Sequence, residues 1–481
     1  MFKRSVIIVI ALMMALCLAP AALAYGGTDS PAGGPARDGG AEVTRADWLS
    51  DLVTTFEMTF EEGDAYPDNY FSDLDTESPY YGDLMKAVGF GVVNIEAGDP
   101  IDPEGAVTRE FAASTLNYCL AFQLPEDMAY TFSDAADVED PAAAQVAVDR
   151  GWLELIDGEF RPEEAVTEAE RAVMFADAAE VWNSTKLDPD HVDSYEVKEG
   201  VTEVPESAGA VVAEDGRLFI AGGSQEIAEG DTFVVQMNGI PVAYTAKAVE
   251  TTEGGILVET EDVSTDEAFD ELDIQGTLDG SAMVIGETNP DLVITQGSSK
   301  MKGLRSESIG INDLSFTGEV ELSDMLRLDI TGGLTQVKVD YEVNKGQGSF
   351  IKLSGLTSLA VSVTGAIDTD NIHIFYAEVP GTGIGIDLVM EVGINGKMEV
   401  KTEGMLTCGI SFNEYTGSVR LIKEFTAKNF DMACEITGFI GLKCKLGVVG
   451  PWLPINGYVY ASAGGAASVK TINYPDGAPR E

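Results

Sequence analysis

Two arginines stand where helices are expected to begin, and that placement points to anion chemistry. Each follows a threonine, in Val43-Thr44-Arg45-Ala46-Asp47 and in Val107-Thr108-Arg109-Glu110. Threonine is a good N-cap, because its hydroxyl accepts a backbone N–H left open at a helix start. Thr44 with Asp47, and Thr167 with Glu170, also fit the spacing of a capping box. An arginine in the first turn opposes the helix dipole, which favours acids there. Arg45 and Arg109 make sense if guanidinium and free amides share an anion. The competing reading is an ion pair with a neighbouring acid, and acids abound, with 81 Asp and Glu against 29 Lys and Arg.

Other chemistry has less to stand on. The chain carries two histidines, His191 in a polar stretch and His373 in an apparent strand. A lone histidine in a strand is more often structural than catalytic. No Gly-x-Ser-x-Gly, HExxH or Walker pattern appears, so no enzyme and no cofactor is expected. Gly222-Gly223 and the glycines from Gly381 to Gly385 are flanked by strands and read as turns or bulges. Asp73, Asp75 and Glu77 alternate, as do Asp368 and Asp370, but neither run has the spacing of an EF-hand, so no metal is expected. Cys434 and Cys444 flank an expected turn at Gly438 to Gly441. A cross-strand disulfide there is one reading. The other is that Cys119, Cys408, Cys434 and Cys444 are all small buried thiols.

The elements that must position these residues fall into two classes. From Val43 to Trp182 apolar residues recur at spacings of three and four, as in Trp48, Leu49, Leu52, Val53 and Phe56. Residues 184–208 are polar and acidic and read as a linker. After about residue 209 the period becomes two, as in Val337, Val339, Tyr341 and Val343. Asn395-Gly396 and Gly332-Gly333 read as breaks between strands. Thr265 to Asp273 reads as a helical turn. The expected class is therefore multidomain α+β. A helical region, 43–183, precedes an all-β antiparallel region, with a small β domain at 209–280 and a longer body at 281–481.

The N-terminus carries an address. Lys3 and Arg4 precede an apolar run from Val6 to Leu18, and Ala22-Leu23-Ala24 offers small residues for cleavage after Ala24. Residues 25–42 are rich in Gly, Pro and Ala and read as a flexible lead-in. A formal charge of −52 argues against nucleic acid and against anionic lipid as partners. No stable membrane insertion is expected.

The helical region repeats. Phe71-Ser72-Asp73 recurs as Phe132-Ser133-Asp134, each followed by an apolar helix that ends at a glycine, Gly91 or Gly151. Ile101-Asp102-Pro103 then matches Phe160-Arg161-Pro162. The Val-Thr-Arg element comes three times, the last as Val166-Thr167-Glu168-Ala169. The copies span 43–60 (partial), 71–122 and 132–182.

This composite resembles the surface-layer-homology (SLH) repeat family. The resemblance implies a pseudo-threefold helical bundle whose grooves bind secondary cell-wall polysaccharide, often pyruvylated, without covalent attachment. It implies Arg45 and Arg109 as groove cations, Thr44 and Thr108 at the helix starts beside them, and Tyr80 or Tyr81 as an aromatic near the sugar. The third copy departs from the pattern. Glu168 stands where arginine is expected, and Arg171 comes one turn late. An exported protein held at the cell wall, displaying a structural or adhesive β body, is the expectation. An envelope porin-like barrel and a wall-anchored glycan-binding or hydrolytic enzyme are the alternatives.

Overall fold

A computed structural model describes residues 42–59, 67–124, 129–213, 215–222, 227–296, 299–301, 311–323, 326–382, 384–413, 416–422, 430–434 and 438–448. The expected signal peptide, 1–24, and the lead-in up to residue 41 lie outside the described residues. The chain divides into a helical unit, residues up to Leu120 with Leu124–Trp182, and a β unit, Ala121–Gln123 with Asn183–Glu481.

The helical unit holds five helices among the described residues: α1 (Arg45–Thr55), α2 (Tyr81–Gly89), α3 (Arg109–Leu120), α4 (Pro141–Asp149) and α5 (Glu168–Asn183). The apolar spacing in α1 buries Ala46, Trp48, Leu49, Leu52 and Val53 along one stripe. α2 and α4 end alike. Gly91 and Gly151 have φ of 72° and 70°, which a side chain resists. In each case two amides turn back onto the last turn: Gly91 to Val88 and Val92 to Ala87, then Gly151 to Val148 and Trp152 to Ala147. This is the Schellman arrangement, and it needs a left-handed residue at that place.

The copies are joined through their turns. Both carboxylate oxygens of Asp73 accept backbone amides, from Ile101 at 2.9 Å and Asp102 at 2.7 Å. Asp134 does the same to Phe160 at 2.7 Å and Arg161 at 2.8 Å. The clamped residues Asp102 and Arg161 have φ of 56° and 55°, so the turn is held in a conformation that an L-residue adopts reluctantly. The turn then faces the preceding copy. Gly105 and Pro103 carbonyls accept the Arg45 and Ala46 amides, and Glu164 and Pro162 carbonyls accept those of Arg109 and Glu110. Short antiparallel bridges complete the circuit, Thr44 with Ala106, Thr108 with Ala165 and Glu42 with Thr167.

Inside this circuit the three helices α1, α3 and α5 touch. Trp48 donates its indole N–H to Thr115 at 2.9 Å and meets the Phe175 ring edge-on at 4.8 Å. Phe56 and Trp182 meet edge-on at 5.3 Å. α2 packs on α1 and α4 on α3. No outer helix covers α5 among the described residues, and Ala169, Ala172, Val173 and Ala176 on it are exposed.

The β unit contains two antiparallel-dominated sheets. The smaller runs in the order Thr202–Glu203, Thr232–Met237, Ile240–Thr252, Gly255–Asp262, Leu218–Ala221, Ala210–Val212. The larger centres on Gly348–Val379 and Ile384–Asn413, paired over nearly their whole length. Leu326–Asn344 lies on the other side of Gly348–Val379 and Leu314–Ser323 beyond it. The alternation read in the sequence is realised here, because Val337, Val339, Tyr341 and Val343 are all buried. One apolar core runs through residues of both sheets.

Four expectations are corrected. The linker 184–208 is built into the β unit, where Ser194–Val197 pairs with Phe269–Asp279 and Thr202–Glu203 pairs with Thr232–Met237. Asn395-Gly396 and Gly332-Gly333 are not turns but lie inside strands, opposite Ala366-Gly365 and Phe316-Ser315. The Phe316 ring occupies the space that a Cβ on Gly332 would need, 2.3 Å from it, so that glycine serves packing rather than reversal. The hairpin expected at 438–441 is also absent. Cys434 stands opposite Met398 and Gly438 opposite Ile394, one continuous register, so Cys434 and Cys444 follow each other along one line. At ~3.3 Å per residue that is a separation of about 33 Å, far beyond the ~7 Å Cα limit of a disulfide. Their side chains lie outside the described residues. Of Thr265 to Asp273 only Thr265–Ala268 is helical, and the strand begins at Phe269.

Asp134→Ala frees two backbone amides in the clamped turn. The expected loss is about 2 kcal/mol, the usual cost of removing hydrogen bonds to a charged acceptor. Chemical denaturation followed by far-ultraviolet circular dichroism checks it.

Candidate ligand-binding face of the helical unit

The helix starts do what their sequences predict, but they do it within the protein. Thr44 Oγ1 accepts the Asp47 amide and donates to its carboxylate at 2.8 Å. Thr108 Oγ1 accepts the Phe111 amide at 3.2 Å. Thr167 and Glu170 form the reciprocal capping box, the Thr167 amide donating to Glu170 at 2.9 Å and the Glu170 amide to Thr167 at 3.2 Å. The first two amides of α1 and α3 are taken by turn carbonyls of the next copy. A shared anion on those amides, as the sequence suggested, has no free donor to meet.

Arg109 is the larger correction. Its side chain has no exposed surface. Nε donates to the Phe160 carbonyl at 2.7 Å, Nη2 to the Glu154 carbonyl at 2.7 Å, and Nη1 to the Glu170 carboxylate at 3.0 Å. The guanidinium also lies 5.2 Å from the centre of the Phe160 ring. All three of its nitrogens are engaged within the protein. It fastens α3 to the turn of the last copy and to the start of α5. Thr108, beside it, acts as a cap only.

Arg45 repeats half of this scheme. Its Nη1 donates to the Ile101 carbonyl at 3.0 Å, the position equivalent to Phe160, and lies 3.9 Å from the Asp102 carboxylate. The Phe111 ring takes the place of Phe160, 5.0 Å from the guanidinium. Some 16% of the Arg45 side chain stays exposed. The ion-pair reading of the sequence, rather than the open-groove one, describes Arg109, and Arg45 stands between the two.

The tyrosines separate. Tyr81 is core, 2% exposed, its hydroxyl donating to the Pro67 carbonyl at 2.6 Å and accepting the Tyr70 amide at 2.8 Å. Tyr80 is half-exposed at the start of α2 and donates its hydroxyl to Asp47 Oδ1 at 2.8 Å. Asp47 thus receives Thr44 and Tyr80 on its two oxygens. Those two hydrogen bonds, Thr44 first, with the charge of Arg171 as a lesser cause, hold its pKa below the ordinary aspartate value against the opposing effect of burial. The same bond raises the Tyr80 phenol.

Arg171, one turn late in the third copy, is the residue that sequence reasoning left without a role. From α5 it reaches α1, with Nε 2.7 Å and Nη2 2.6 Å from Asp51 Oδ2, while Nη1 donates to Glu168 at 3.1 Å. Its side chain is 21% exposed. Thr44, Asp47, Tyr80, Asp51 and Arg171 therefore form one polar, half-buried rim along the starts of α1, α2 and α5. The rim offers a planar cation, an anchored carboxylate and an aromatic ring. That set fits a polar, ring-shaped ligand carrying hydroxyls and an acid group. Asp73, singled out as an alternating acid, is spent on the turn amides, and Asp75 accepts the Glu77 amide at 2.8 Å. Among the described residues no group of three or more His, Cys, Asp or Glu is placed to hold a metal, and no helix is long and apolar enough to cross a membrane. Cys119 is buried and unbridged.

Two results are expected. Arg109→Ala takes one donor from Glu170 and the guanidinium donor from the Phe160 and Glu154 carbonyls, and destabilises by about 3 kcal/mol or more, whereas Arg45→Ala costs less; urea unfolding of both variants measures the difference. A carboxyl of lowered pKa stabilises the fold above its unfolded pKa and loses that contribution as pH falls through its folded one. Tyr80→Phe, which removes one cause of the shift at Asp47, is therefore less stable than the parent at neutral pH. The gap closes as pH falls below the ordinary aspartate range, read from thermal melts at a series of pH values. No protein-family model matches the chain, and no curated protein matches it.

Proposed function

We propose that the protein is exported and held without covalent attachment at the bacterial cell surface, its helical unit acting as an SLH-like foot for wall polysaccharide. The β unit is then the displayed part, structural or adhesive. The observation that carries this reading is the closed circuit of three equivalent segments, Thr44 with Ala106, Thr108 with Ala165 and Glu42 with Thr167. A pseudo-threefold arrangement of that kind is what the resemblance implies. It gathers three helix starts on one face, where a branched or repeating polymer meets similar contacts more than once.

The ligand contacts differ from those the resemblance implies. Arg109 is assigned to the scaffold. Recognition falls to the rim of Tyr80, Asp47 and Arg171, and Arg45 on α1 keeps part of its surface open. A carboxylate on a sugar, such as a pyruvate ketal, competes with Asp51 and Glu168 for the Arg171 fork. Asp47 accepts sugar hydroxyls, and the Tyr80 ring offers an apolar face. Exchanging one carboxylate partner for another on a half-exposed arginine costs little, since such pairs contribute about 0–1 kcal/mol.

Mature protein is expected to sediment with purified wall sacculi and to stay in solution once the secondary polysaccharide is stripped. Arg171→Ala and Tyr80→Ala should each weaken retention about tenfold, the effect of losing one charge-assisted or stacking contact. Equal sedimentation with stripped and intact walls would sink the reading.

A further inference from the structure

Arg171 meets two acids, and the two contacts are unequal. Nε and Nη2 lie 2.7 Å and 2.6 Å from one oxygen, Asp51 Oδ2. Asp51 stands on α1, 120 residues away in sequence, so the packing of α5 on α1 sets this pair. Glu168 meets the guanidinium at Nη1, with each of its carboxylate oxygens 3.1 Å away. Charge-assisted N–H···O bonds run about 2.7–2.9 Å. The Asp51 contact is as short as such bonds become, and the Glu168 contact is longer than they usually are.

Exposure and connectivity rank the two acids the same way. The Glu168 side chain is 47% exposed, that of Asp51 36%. Glu168 and Arg171 are three residues apart on one helix, a class of pair that contributes little. A guanidinium presents two edges, Nε with Nη2 and Nη1 with Nη2. Asp51 takes the first. Glu168 approaches the second at Nη1, and a ligand carboxylate can span that edge with two parallel bonds. Glu168 also opens α5, where the helix dipole favours an acid, so it keeps a favourable place without Arg171. In the first two copies the equivalent position is an arginine, Arg45 or Arg109. The third copy thus puts a carboxylate beside the cation that comes one turn later.

We propose that Asp51 is a positioning residue that aims Arg171, and that Glu168 is a resident substitute for the ligand's carboxylate. An acidic sugar displaces Glu168 and leaves the Asp51 contact in place. The two acids on one arginine therefore act in opposite directions on binding. This assignment rests on the rim reading of the function and adds to it a self-masking carboxylate, which lowers the affinity of the free protein for acidic groups.

Co-sedimentation of the full mature chain with purified sacculi, over a series of wall concentrations, tests it. Glu168→Gln keeps the shape and removes the competing charge, and should tighten retention about twofold to threefold. Asp51→Asn should weaken it about fivefold, the upper end for one half-exposed ion pair. In an Arg171→Ala background neither change should have an effect. Glu180→Gln removes an equal charge from an exposed place further along α5 and should match the parent. Far-ultraviolet circular dichroism checks that each variant is folded. Unchanged or weaker retention in Glu168→Gln overturns the assignment, as does an equal gain in Glu180→Gln or a gain that survives Arg171→Ala. The parent's own preference for intact over stripped walls then leaves the rim reading standing. A parent without that preference removes both.

Discussion

The helical unit depends on one exchange between copies, in which a turn gives its amides to an aspartate of its own copy and its carbonyls to the copy before. Asp134 takes the Phe160 and Arg161 amides, and the same turn presents the Phe160 carbonyl to Arg109 and the Pro162 and Glu164 carbonyls to the start of α3. With Thr108 Oγ1 taking the Phe111 amide, every orphan amide at that helix start is used. The arrangement recurs with Asp73, Ile101, Asp102 and Arg45. A repeat of this kind cannot be satisfied alone, because its helix start needs the next copy's turn.

That dependence explains why the arginines look functional in sequence and behave structurally. An arginine at a helix start is unfavourable for the isolated helix. Here the next copy supplies backbone carbonyls and, at Arg109, the carboxylate of Glu170. A buried guanidinium with three good acceptors is specific in geometry and costly to disturb. The third copy, with Glu168 at the equivalent place, frees Arg171 to cross to Asp51 on α1. The least regular copy therefore carries the more accessible cation.

Local signals were legible where the partner was near in sequence. The terminating glycines Gly91 and Gly151, the Thr167–Glu170 box and the alternation of Val337 to Val343 each work as their residue types dictate. What could not be read was the distant partner. Nothing local shows that the Glu154 and Phe160 carbonyls converge on Arg109. Asn395-Gly396 has the composition of a turn, but the paired strand Gly348–Val379 continues past it and keeps it extended. Ser194–Val197 is too short and polar to announce itself, with only Tyr195 and Val197 turned partly inward. At the candidate face, Thr44 and Tyr80 were visible as types, whereas Arg171 became a member only through the packing of α5 on α1.

The β unit is not one stretch of chain. Phe122–Gln123 is an edge strand of the large sheet, paired with Arg420 and Val419, while the chain between it and Asn183 belongs to the helical unit. A fragment cut at residue 209 would lack that edge, along with Ser194–Val197 and Thr202–Glu203. During synthesis Phe122 must wait for Arg420, a contact of very high sequence separation and a slow one to close. A last helical copy that folds first shortens the intervening loop and lowers its closure entropy. The insertion thereby assists the assembly of the sheet that it interrupts.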